Sequence, residues 1–343
     1  MSDAWTWRPS KSAWHEKFND KILRWQPEER LGLDCEPLKA SLIEANAREA
    51  DWLRHPCMNA ITYEGHDKSP QRDLQVAIWT AANAPTASTS LTAPEPLTLW
   101  SPVGGYRIEA GTYDLNELAG LLPMKEWPYD ISVDVGCHSL GFPIPDTWAE
   151  HTDLSADEQA RMTREVTNSL EILVTAAKKF PECVNWVSDV TRVLIPLRSS
   201  ERSYFRSGSQ ADVPGMVYAD LFGGLMQVME AIVHESAHLH LFMAEASGPL
   251  VDPQHQGRYA SPLRPEPRPL RGILLAFHAI AYICAFYREA EKQGFGGSAE
   301  YDAELANMLT KLKEAQVVLG DARQFLTEDG RIFVDRTAEI AYQ

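Results

Sequence analysis

The chain is poor in cysteine and in positive charge, and it lacks a long hydrophobic run. Its five cysteines (Cys35, Cys57, Cys137, Cys183, Cys284) are odd in number and widely spaced, with no CxxC pair. That pattern excludes a cysteine-based zinc site and suits reduced thiols in a cytoplasm. Lysine and arginine total 32 against 48 acidic residues, a formal charge of −16. A surface of that sign disfavours non-specific nucleic-acid binding, which needs a basic face, and an anionic membrane. The longest apolar run, Gly272 to Tyr287, is 16 residues, short for a membrane span and suited to a buried core helix. The start, Met1-Ser2-Asp3-Ala4-Trp5, lacks the basic and apolar regions of a secretory signal. No internal repeat is present.

The 343 residues suffice for one large or two ordinary domains, and 44% hydrophobic content is ordinary for a globular chain. Residues 11 to 85 read as helical, with amphipathic segments over Pro37–Trp52 and Asp73–Ala82. Ala84 to Pro96 reads as a loop or linker. Strand-like pieces follow over Leu97–Tyr113, with Gly104-Gly105 as a turn, and over Ile131–Val135. Ser155–Lys179 reads as a helix opened by a capping box. Val190–Leu197 reads as a strand and Met216–Ala219 as a short extended piece. Helices are expected over Leu225–Ala246, Gly272–Lys292 and Ser298–Leu319, and a mixed tail over 322–343. The fold class is α-rich α+β: a helical metal-binding core with a small β component. Two regions are expected, 1–150 (helical and mixed, a candidate for peptide binding) and 151–343 (metal-binding and catalytic).

The residues that carry chemistry begin at His234-Glu235-Ser236-Ala237-His238, inside an apolar stretch that neither proline nor glycine interrupts. Histidines at i and i+4 lie about one turn apart on one helical face, so both can reach a single metal ion. Two core histidines bonded to backbone carbonyls are the plainer reading. They would need two separate polar solutions in one oily stripe.

His278 lies in the next apolar helix and is the one side chain between Arg271 and Arg288 that titrates near neutrality. Buried helices joined by a loop tend to pack together, which makes His278 a candidate third ligand. Carboxylates compete for that role. Glu245 is about 10 Å along the axis from His238, too far to join the same ion. Glu230, one turn before His234, suits a supporting role on an imidazole N–H. Glu289 is expected to be solvated. His240 faces away from the metal side. The loop Arg258 to Gly272 holds four arginines and four prolines. It is either a rigid solvated loop or an anion site beside the metal, since an arginine fork suits a carboxylate.

The segment His234-Glu-Ser-Ala-His238, followed by Tyr259-x-Ser261-Pro262-x-Arg264-x3-Arg268-Pro269-x2-Gly272, resembles the HExxH-motif peptide-modification family of ribosomal peptide natural-product pathways. Leu194 to Arg198, Ser207-Gly208-Ser209 and Pro214-Gly215 extend the likeness, which covers roughly 188 to 290. It implies an Fe(II)- and 2-oxoglutarate-dependent dioxygenase that hydroxylates a side-chain β-carbon in a precursor peptide. His234, His238 and His278 would then hold iron, leaving positions for 2-oxoglutarate and dioxygen. Arg264 and Arg268 match the signature and are the candidates for the far carboxylate of 2-oxoglutarate. Tyr259 and Ser261 stand beside them as cofactor-binding candidates.

Glu235, the catalytic candidate, has no obligatory base role in that chemistry. In a zinc-dependent HExxH metallopeptidase it would be the general base on zinc-bound water. That class takes a downstream Glu, or a His in an extended motif, as third ligand. Leu239-His240-Leu241-Phe242-Met243-Ala244 lacks the extended pattern. A peptide-binding protein with a structural metal would need a fourth ligand, and the sequence offers no convincing one.

Overall fold

A computed structural model describes residues 3–26, most of 31–121, residues 131–133, Asp157, 171–197 and, with few interruptions, 207–342. The fold is α-rich α+β, with its strands in four small sheets among the described residues. The chain divides into two compact units. One comprises Met1–Ser10, Ile172–Val187 and Gly224–Gln343; the other comprises Lys11–Glu171 and Ser188–Gly223. A single cut at 150 does not reproduce this division. The strands just before Leu225 group with the N-terminal half, and the first ten residues group with the C-terminal half.

In the second unit, α1 (Ser12–Arg24), α2 (Cys35–Ala47), α3 (Pro70–Asn83) and α4 (Leu115–Leu121) bury one apolar cluster that includes Phe18, Leu38, Leu42, Leu74 and Leu115. Two antiparallel pairs accompany them. In one, β1 (Ser90–Ala93) pairs with β4 (Gly111–Asp114); in the other, β2 (Leu97–Ser101) pairs with β3 (Gly104–Ile108). Ser90–Ala93, expected as linker, is therefore a strand. Its Leu91 and Ala93 are buried in strict alternation with exposed Ser90 and Thr92, a period of two that its Ser/Thr/Pro-rich surroundings conceal. Gly104 and Gly105 open β3 opposite Ser101 and Trp100, and so belong to the ladder and not to a turn.

A four-stranded sheet runs β5-β6-β8-β7, from β5 (Ser132–Val133), β6 (Val193–Pro196), β7 (Ser207–Ser209) and β8 (Met216–Ala219). β6 lies parallel to both β5 and β8, and β7 is antiparallel to β8. Every residue of β6 and β8 is buried, as expected for parallel strands covered on both faces. The expected helix over 155–179 is present at Asp157 and 171–179, while its capping residue Ser155 lies outside the described residues, as do Asp134 and Val135.

The first unit is built around α7 (Leu270–Lys292), which packs against α6 (Leu225–Glu245), α8 (Ala299–Asp321) and α9 (Glu328–Tyr342). A helix apolar on all sides belongs at the centre of a bundle. α7 is the one described helix long and apolar enough to cross a membrane, and 83% of its most apolar stretch is buried within the protein. The short helix α5 (Pro181–Ser188) brings Trp186 into this core. The N-terminal turn Asp3–Thr6 returns to the same place: Trp5 meets Trp186 and Tyr282 edge-on or tilted, and its indole N–H donates to Glu289. Glu289 is thus a half-buried acceptor and not a solvated charge.

The tail is more regular than expected. α9 presents Phe333, Val334, Thr337, Ile340 and Ala341 as a buried stripe at helical spacing. Thr327 precedes it, and its Oγ1 accepts the Gly330 N–H at 3.0 Å. A Cβ built on Gly330 would sit 1.9 Å from the Leu250 carbonyl oxygen. Gly330→Ala is therefore expected to cost about 1–3 kcal/mol from overpacking, read as a lowered denaturation midpoint. An unchanged midpoint would mean that the close approach is easily relieved.

Candidate metal centre

α6 opens at Gly224, whose N–H donates to the Gln227 side chain at 3.1 Å. It runs 21 residues, and its Val228, Met229, Ile232, Val233, Ala237 and Leu241 are buried. Within this stripe the rings of His234 and His238 lie 4.6 Å apart, nearly perpendicular. The ligand-capable atoms of His234, Glu235 and His238 all fall within 4.8 Å of one another. The Glu235 carboxylate is almost fully buried, 3.9 Å from His234 Nε2, and the His234 side chain is 25% exposed. One flank of the cluster is therefore open to solvent.

His238 Nδ1 is buried and has no hydrogen-bond partner among the described residues. Burial, followed by the nearby His234, His278 and Arg271, holds the His238 pKa well below the usual imidazole range. A neutral ring with an available lone pair is the form a metal ion requires.

α7 carries His278 to the residue before His238. The His278 Nδ1–H donates to the Ala237 carbonyl at 2.9 Å, which leaves Nε2 as the lone-pair nitrogen. That nitrogen is buried without a hydrogen-bond partner. His278 is 0% exposed and lies against Trp7, Tyr282 and Phe333. Burial lowers its pKa to about 3, opposed in part by the Ala237 bond. It stands outside the group that closes to within 4.8 Å.

Two of the three carboxylates of α6 are committed elsewhere. Glu230 accepts the Tyr287 hydroxyl at 2.6 Å and holds no imidazole N–H, contrary to the supporting role expected for it. Burial raises its pKa, and the Tyr287 bond opposes the rise. Glu245 forms a two-point pair with Arg271, at 2.7 Å to Nε and 2.6 Å to a terminal nitrogen. His240 turns away as expected. It stacks on Trp186 at 4.2 Å, and its Nε2 bonds the Trp186 carbonyl at 3.0 Å.

Tyr259 and Arg268 face each other in the two-residue pair of β9 (Arg258–Tyr259) and β10 (Arg268–Pro269). The Tyr259 hydroxyl bonds His255 Nε2 at 2.8 Å, and Ser261 Oγ accepts the Leu263 N–H at 3.4 Å. Arg264 and Arg268 are exposed, and the Arg268 side chain lies over Gly272. Arg258 donates to the Pro267 carbonyl.

Arg271, in the first turn of α7, is held against α6 by Glu245. Its guanidinium lies over the Phe242 ring at 5.5 Å, and Phe242 lies beside His238 at 6.4 Å. The sequence signal for Arg271 is its position seven residues before His278, which puts both on one face of α7. No family model matches the chain, and no curated protein matches it.

Proposed function

We propose that His234, His238 and His278 hold an Fe(II) ion and that the protein is a 2-oxoglutarate-dependent dioxygenase acting on a ribosomally made precursor peptide. The carrying observation is the approach of the His234 and His238 imidazoles, with the Glu235 carboxylate, to within 4.8 Å on one helical face, with His278 brought to the Ala237 carbonyl beside them. The donor set fits a divalent transition metal, since imidazole nitrogens suit iron as well as zinc. Two orphaned imidazole nitrogens, on His238 and His278, would each gain the partner that burial otherwise denies them.

With 2-oxoglutarate and dioxygen, iron at this position supplies oxidative chemistry: a C–H bond becomes C–OH while 2-oxoglutarate becomes succinate and carbon dioxide. The protein's own contribution is positional. The Ala237 carbonyl fixes the tautomer and ring plane of His278. Burial keeps His238 neutral, and Glu235 lies beside His234 to orient a ligand or water. The exposed flank of His234 gives a peptide side chain access. The likeness over 188–290 favours β-carbon hydroxylation as the outcome.

The zinc peptidase reading needs a third ligand. On α6, Glu230 is taken by Tyr287 and Glu245 by Arg271, which favours a histidine triad. The test is succinate formation in air with iron and 2-oxoglutarate. Wild type and Glu235→Gln are both expected to form succinate and to retain iron. Zinc-dependent peptide cleavage that Glu235→Gln abolishes, with no succinate from either protein, would replace this proposal with the peptidase.

A further inference from the structure

Arg271 combines three conditions for an anion anchor. Its guanidinium is oriented, because Glu245 takes Nε–H and one terminal N–H in a side-on pair. It is buttressed, because its guanidinium carbon lies over the Phe242 ring at 5.5 Å. It is also available. Of its five N–H donors, those not bound to Glu245 have no partner among the described residues, and the side chain is 46% exposed. Phe242 follows His238 by four residues, a rise of about 6 Å. The guanidinium carbon lies 5.5 Å from the centre of the Phe242 ring, which lies 6.4 Å from the His238 ring, so the guanidinium stands on the Phe242 side of His238.

We infer that Arg271, and not the loop arginines of the signature, is the carboxylate anchor of the metal site, with Glu245 as its positioning residue. This rests on the dioxygenase reading above. A carboxylate bound to iron at one end meets the open, end-on fork of Arg271 at the other. Glu245 keeps the side-on fork occupied, so the guanidinium cannot rotate away. A two-point contact between planar groups selects a carboxylate over a neutral end. A keto acid without a far carboxylate gains nothing from it.

The test is anaerobic binding of 2-oxoglutarate, and of pyruvate for comparison, to the iron-loaded full-length protein. Arg271→Gln is expected to weaken 2-oxoglutarate by about 10- to 100-fold, the loss typical of hydrogen bonds to a charged group, and to leave pyruvate and iron binding unchanged. Glu245→Gln is expected to give a smaller loss confined to 2-oxoglutarate. The double variant Arg271→Gln/Glu245→Gln, which leaves no unpaired charge, guards against misfolding and is expected to match Arg271→Gln. Wild-type affinity for 2-oxoglutarate in Arg271→Gln, or a larger loss in Arg264→Ala or Arg268→Ala, overturns this assignment alone. No 2-oxoglutarate binding by the wild type overturns the dioxygenase reading and this assignment with it.

Discussion

Alanine at His238 is expected to lower metal affinity by more than about 100-fold and to leave the helical fold intact. Removing a group that merely supports a ligand already costs 10- to 100-fold; removing a ligand of a three-histidine set exceeds that. The fold should survive because His238 Nδ1 makes no hydrogen bond that the substitution would break. The ring contacts to His234 and Phe242 are lost, which costs packing but no network. His234→Ala should act in the same direction with less effect on stability, because its ring is partly exposed. Circular dichroism beside a metal titration separates binding from folding. Wild-type affinity in both variants would show that the paired imidazoles are core residues.

His278 should behave differently, because it couples the site to the fold. His278→Ala empties a fully buried ring position among Trp7, Tyr282 and Phe333 and removes the bond to the Ala237 carbonyl. A loss of about 3–5 kcal/mol is expected, the range for a buried ring cut to alanine. His278→Phe restores the volume but not the nitrogens. It should recover part of the stability and none of the metal affinity.

The metal-free protein should also be acid-labile through this residue. The His278 pKa is lowered to about 3 in the fold against an ordinary value near 6.5. Between those values the unfolded chain binds the proton and the native chain does not, so stability falls as the pH drops. The contribution is fully present above the unfolded value and is lost progressively from about pH 6.5 toward 3. His278→Phe should flatten that part of the profile in chemical denaturation. An unchanged slope would mean that His278 is not the group held neutral by burial.

What was legible in the sequence was what is local. The α6 histidines sit four residues apart on an uninterrupted helix, so their approach follows from helical geometry alone. α7 was legible as a core helix because no face of it is polar. α9 was not: its place is set by contacts of the preceding Thr327 with Leu250 and Pro249 some 80 residues earlier. β1 was obscured because a strand of four residues gives only two turns of a period-two pattern.

At the site, the missing pieces were long-range. The Glu245–Arg271 pair, the Trp5–Glu289 bond and the Trp7 contact with His278 join segments that share no periodicity. The competing carboxylates could be ranked by axial distance, but their partners, Tyr287 and Arg271, emerge only once α6 and α7 pack together. The placing of Arg271 over Phe242 likewise emerges only once α6 and α7 pack together.

The most direct measurement is an anaerobic titration of metal-free protein with Fe(II) and then 2-oxoglutarate, following the visible charge-transfer band of a chelated complex. The account predicts a band in the wild type that saturates with one iron per chain and is absent from His234→Ala. No band in the wild type, with tight zinc binding in its place, would contradict it.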